Sequence, residues 1–162
     1  MTLTEKYIDP RMRGLLSVKL TDRSDADIDV QLEECLKFLE IVSAGEGSSF
    51  IPLSKEVDEI WHELIVETGS YRRLCDALPG RRFINHESIG LEDYAGRSTK
   101  AVVSAQFLEW IPKYISRYGR FTEEVANHWT ICQFLRTELG MSLDEINEMG
   151  LRELGKPTLT AS

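Results

Sequence analysis

The chain has 162 residues, of which 42% are hydrophobic and 28% charged, and it carries a formal net charge of −8. That length and composition suit a single globular domain with a real core. The acidic balance excludes a protein that holds nucleic acid or an anionic membrane surface by positive charge alone. No apolar run is long enough for a membrane span. The opening MTLTEKYIDPRMRG lacks the apolar centre of a signal peptide. Three cysteines, an odd number at wide spacing, argue against a disulfide framework and for a reducing cytoplasm.

In chain order, residues 1–24 predict one or two short helices interrupted near Asp9–Pro10, because proline is tolerated in a first turn and not inside a helix. Ser24 or Asp25 starts the next helix, over about Asp25–Ser43. Its stripe is Ile28, Leu32, Cys35, Leu36, Leu39 and Val42. Cys35 falls within that stripe and reads as a small core residue. Ala44–Pro52 is a loop rich in glycine and serine. Ser54 caps a further helix, with Glu56 and Asp58 in its positive first turn and Val57, Ile60, Trp61, Leu64 and Ile65 as its buried face. At about 100° per residue, Asp58 and His62 stack one turn apart beside that face, at the border of core and water. Glu56, Glu59 and Glu63 point outward.

Thr68-Gly69-Ser70 predicts a break, with Ser70 capping a short helix whose inner face is Tyr71, Leu74, Cys75 and Leu78. Pro79-Gly80 ends it, Arg81 and Arg82 are exposed, and Phe83–His86 is extended. A loop over 87–97 follows. Ser98 starts a long helix to about Tyr118, with a kink or break expected near Trp110 because Pro112 lies inside it. Gly119 stops that helix. Thr122 caps another, through Leu139, which Gly140 stops. A capping box Ser142–Glu145 opens a last short helix that Gly150 ends. The whole predicts an all-α fold: a single irregular bundle of about five to seven helices over residues 1–154, with a frayed tail at 155–162.

Three groups of residues have the chemistry of a site. His62, Cys75 and His86, with Asp58 as fourth ligand or support, offer the imidazole, thiolate and carboxylate donors that zinc and iron take from proteins. The gaps of twelve residues between His62 and Cys75 and ten between Cys75 and His86 match no zinc-finger spacing. Convergence of a helix edge, a second helix and an extended exit is what would make them a site. The plain alternative is a surface pair of Asp58 and His62, a core Cys75 and a loop-bound His86. The second group makes Cys75 a nucleophile, with His62 or His86 as base and Asp58 or Asn85 orienting it. The third is His128 and Cys132, one turn apart on one helix, which read more simply as core. Trp61, Trp110 and Trp129 read as core anchors. No phosphate-binding glycine loop, nucleotide fingerprint or HExxH motif occurs.

The block VDEIWHELI, followed by Tyr71, Cys75, Gly80 and His86, resembles the conserved block of the glycine-rich domain-containing protein family. That family has plant and small bacterial members with an Asp-x-x-Trp-His core followed by Tyr, Cys, Gly and often His. Asp58, Trp61, His62, Tyr71, Cys75, Gly80 and His86 are the matching residues. Leu64 stands where plant members often carry a second histidine, and no glycine-rich tail is present. The resemblance implies a helical domain and draws attention to the Asp58, His62, Cys75 and His86 group, without implying a reaction. The leading expectation is a small cytoplasmic metal-binding protein, with zinc or iron as its ion, and with catalysis left open. The alternatives are a metal-free helical adaptor that binds a partner protein through an acidic face, and an enzyme with Cys75 as nucleophile. No nucleic acid or membrane partner is expected.

Overall fold

A computed structural model describes residues 1–45, 51–86 and 100–155, with residues 100–107 as backbone alone. Among the described residues there are nine helices and no strand, so the fold is all-α. The helices outnumber those expected because the N-terminal segment forms two and the helix expected from Thr122 to Leu139 is cut in two. The chain divides into two compact units, Met1–Leu91 and Glu92–Ser162. The loops expected over 46–50 and 87–97, the cap at Ser98 and the tail after Gly155 lie outside the described residues.

In the first unit, α1 (Leu3–Tyr7) starts with a capping box between Thr2 and Glu5. α2 (Pro10–Lys19) has the Asp9 carboxylate at its N-cap and Pro10 in its first turn, where no amide is missed. α3 (Asp25–Ala44) begins at Ser24 and buries residues on most of its circumference, including Leu32, Cys35, Leu36 and Leu39. A helix buried on most sides is the centre of its unit. Its buried polar groups have partners: Glu34 pairs with Lys37 at 2.7 Å, and Glu40 accepts a hydrogen bond from the Tyr7 hydroxyl. Glu33 accepts bonds from the amides of Leu3 and Thr4 and so docks the start of α1 on α3.

α4 (Lys55–Val66) is capped by Ser54, whose hydroxyl accepts from the Val57 amide, and it packs Val57, Ile60, Trp61 and Leu64 inward. Two acids expected to face water are tied down instead: Glu59 meets the Arg23 guanidinium at 2.9 Å and Glu63 meets Lys19 at 3.2 Å. Arg23 also donates to Gln31 and to the Glu56 carbonyl, so the turn after α2 is fastened to both α3 and α4. α5 (Thr68–Ala77) follows after Glu67 alone, with no side-chain cap. The expected break at Thr68-Gly69-Ser70 does not occur. These weak helix formers cost roughly 0.5–1 kcal/mol each, less than the burial of Tyr71, Leu74 and Cys75 two to three turns of helix supply.

In the second unit, α6 (Lys100–Tyr118) runs unbroken through Pro112. It is followed by α7 (Glu123–Ala126), capped by Thr122, and α8 (Thr130–Glu138). Between them Trp129 is fully buried and extended, with φ −119 and ψ 112, and this is where the expected single helix divides. Tyr114 stacks on Phe121 with ring centroids 3.9 Å apart and meets Trp129 edge-on. Gly119 and Gly140 take positive φ at the ends of α6 and α8, as expected of helix stops. The capping box of Ser142 and Glu145 opens α9 (Leu143–Gly155). Gly150 does not end this helix. It lies inside it, where a Cβ would come within 2.4 Å of the Ile115 side chain, so its role is close approach of α9 to α6. Buried Asn147 exchanges two hydrogen bonds with the backbone of Phe121 and fixes that loop.

Candidate metal centre

Asp58 and His62 stand one turn apart on α4, and His86 comes to them from the segment after α5. The path of that segment is fixed at three points. Gly80 lies against the end of α3: its amide donates to the Ser43 hydroxyl at 2.8 Å, and a Cβ there would sit 2.1 Å from the Ser43 carbonyl oxygen. No other residue fits that approach. Arg82, expected to be merely exposed, donates to the carbonyls of Val42 and Gly45 at the C-terminal end of α3, where free carbonyls attract cations. Beyond it, the Tyr71 hydroxyl donates to the Ile84 carbonyl at 2.5 Å and accepts from the Trp61 indole at 3.0 Å.

Those ties lay His86 over α4. Its Nε2 is 2.7 Å from Asp58 Oδ1, and Asp58 Oδ2 is 3.7 Å from His62 Nδ1. The His86 ring lies between two others, with centroids 4.3 Å from Trp61 and 4.2 Å from His62, the latter nearly parallel. The side chains are graded from inside to outside: His86 is 8% exposed, Asp58 27% and His62 52%. One donor atom from each of the three lies within 4.8 Å of the others. Ligand atoms on a zinc or iron ion stand about 3 Å apart for bonds of about 2.1 Å. The observed separations bracket that value, so the group could hold an ion.

Cys75 is not in this group, which corrects the expected ligand set. It projects from α5 to the core, 1% exposed, beside the Tyr71 hydroxyl. The helical stripe that places Cys75 inward is the packing face. Burial also removes Cys75 from any substrate, so the nucleophile arrangement is not formed. Another cysteine is closer to the site in charge terms: burial first, and then the nearby Asp58 carboxylate, push the Cys35 thiol well above its ordinary range. Burial likewise raises the Tyr71 phenol, against the Trp61 hydrogen bond.

His128 and Cys132 do not share a helix. His128 lies in the turn after α7, partly exposed, while Cys132 is buried in α8. Among the described residues Asp58, His62 and His86 are the group with metal-ligand geometry. Trp61 and Tyr71 belong to the resembling block, but periodicity gives them no role beyond packing. Both read as core, yet their polar atoms hold the His86 segment. The signal was the pairing of a buried indole N–H with a buried phenol, since such groups require partners. Compared with profiles of protein families, with curated proteins and with solved structures, the chain has no match in any of the three.

Proposed function

We propose that the protein binds a divalent transition-metal ion, zinc or iron(II), through Asp58, His62 and His86. The observation that supports this most is the meeting of three donor atoms from two separate segments within 4.8 Å. Two imidazoles and a carboxylate are a donor set both ions accept. Three protein donors leave coordination positions to solvent on the side of half-exposed His62, the arrangement of a working ion rather than a closed structural one. Such an ion supplies a Lewis acid and an acidified bound water.

The roles of this chain's own residues follow from their contacts. Asp58 bridges the two imidazoles, Trp61 sets the plane of His86, and Tyr71 and Gly80 fix the segment that brings His86 in. Of the seven residues in the block that resembles the glycine-rich domain-containing proteins, Asp58, His62 and His86 form the site, and Trp61, Tyr71 and Gly80 support it, while Cys75 packs in the core; this favours reading most of that block as a functional unit. A cytoplasmic setting fits the free thiols of Cys35, Cys75 and Cys132, and no described helix is long and apolar enough to cross a membrane. The acidic balance favours partners other than nucleic acid.

Titration of untagged, chelator-washed protein with Co²⁺ tests the reading by visible absorption. Saturable stoichiometric uptake with ligand-field bands and no thiolate-to-metal charge-transfer band is the expected result. A strong charge-transfer band would restore Cys75 or Cys35 as a ligand. No uptake would favour the metal-free alternative, in which the Asp58–His86 contact merely closes the fold of a partner-binding helical protein.

A further inference from the structure

The first unit contains an open cavity of about 400 Å³ that shares none of its lining with Asp58, His62 or His86. It lies where the junction of α1 and α2 meets α5. That volume is within the range of roughly 300–1,000 Å³ typical of small-molecule sites. Its floor is apolar and closed to water from behind: Met12, Leu64, Tyr71 and Leu74 are each buried.

The rim has four charged side chains, and they are not equivalent. The two acids are engaged at helix starts. Glu5 accepts the Thr2 amide at 3.0 Å, and Asp9 accepts the Met12 amide at 2.8 Å. Their charge is directed at positive helix ends. Neither cation is paired with a carboxylate of the described residues. Lys6 Nζ stands 5.1 Å from the centre of the Tyr7 ring, and Arg73 spends one N–H on the Ser70 hydroxyl at 3.2 Å. Arg13, Lys19, Arg23 and Lys37 of the unit each hold an acid, whereas Lys6 and Arg73 line the hollow without one among the described residues. With the two rim acids occupied by backbone amides, the two cations beside the hollow are the rim groups open to a negative ligand.

The geometry points to a binding site for a small organic anion with an apolar body, such as a medium-chain carboxylate. Its head meets Lys6 and Arg73 at the rim, and its body lies on the accessible apolar walls of Tyr7, Ile8, Pro10 and Ala77 above the buried floor. The guanidinium keeps N–H groups free for a carboxylate, and the half-exposed Tyr7 and Ile8 with the exposed Pro10 and Ala77 supply the apolar surface that a hydrocarbon tail removes from water. This site is independent of the metal reading, because no ligand of the proposed ion lines it.

Calorimetric titration of the whole chain with octanoate, and with octanamide as its uncharged counterpart, tests the assignment. Octanoate is expected to bind saturably with a dissociation constant below roughly 1 mM, and octanamide about tenfold more weakly. The double variant Lys6→Gln, Arg73→Gln changes only exposed side chains and is expected to weaken octanoate about tenfold while leaving octanamide unaffected. His62→Ala is expected to leave both unchanged. Equal binding of the two probes, full octanoate affinity in the double variant, or no saturable octanoate binding at roughly millimolar concentration would each overturn it.

Discussion

Replacing Tyr71 by phenylalanine removes one oxygen and disconnects two elements. That oxygen accepts the Trp61 indole proton at 3.0 Å and donates to the Ile84 carbonyl at 2.5 Å, in a side chain 1% exposed. The ring still fills its place, so no large cavity opens. What remains is a buried indole N–H and a buried carbonyl without this partner. Each such orphan costs about 1–3 kcal/mol, and partial relaxation brings the expected total to about 2–3 kcal/mol. Against a stability of roughly 5–15 kcal/mol the variant stays folded. Urea unfolding of the metal-free protein is expected to show a lower midpoint at unchanged slope. Because the lost bond anchors Ile84, two residues from His86, affinity for Zn²⁺ is expected to fall about tenfold, in the range of lost supporting contacts at metal sites. A stability change below about 0.5 kcal/mol, or a stability loss with unchanged Zn²⁺ affinity, would refute the claim that this hydroxyl positions the histidine segment.

Gly80→Ala sets a Cβ 2.1 Å from the Ser43 carbonyl, a backbone atom that cannot swing aside, so it is expected to destabilise by about 1–3 kcal/mol in the same urea assay and to weaken metal uptake. His62→Ala, by contrast, trims a half-exposed ring and is expected to change stability by less than about 0.5 kcal/mol while abolishing stoichiometric metal retention. Alkaline pH gives a test of the buried core. Cys35 and Tyr71 stay protonated in the folded state beyond their ordinary values of 9.0 and 10.0, so the unfolded chain releases their protons first. Their contribution is whole below pH 9.0 and is lost as pH rises above it, by up to about 1.4 kcal/mol per pH unit for each group. The slope of urea stability against pH is expected to flatten in Cys35→Ala, and an unchanged slope would contradict the assignment.

Local chemistry made much of the architecture legible. The caps at Ser24, Ser54, Thr122 and Ser142, and the stops at Gly119 and Gly140, depend only on neighbouring residues and occur where the sequence places them. Asp58 and His62 likewise needed only the helical period. Features set by distant contacts were harder to read. Gly150 resembles a stop, but its meaning comes from Ile111 and Ile115 on another helix. The turn before Trp129 has no glycine or proline, and the burial of that indole divides two helices without a local signal. Cys75 shows the limit for sites. Periodicity identifies an inward position and does not tell a packing interior from a ligand-binding one. His86 meets Asp58 because the Pro-Gly bend and the extended residues after it return the chain toward α4. The Gly80 approach to Ser43 that makes this return possible could be read only in three dimensions.

The central claim is most directly tested by elemental analysis of untagged protein purified without chelator, alongside His62→Ala, His86→Ala and Cys75→Ser. The account predicts a stoichiometric zinc or iron ion in the parent and in Cys75→Ser, and its loss in both histidine variants. A parent without metal, or an ion that survives removal of either histidine and disappears with Cys75, would contradict it.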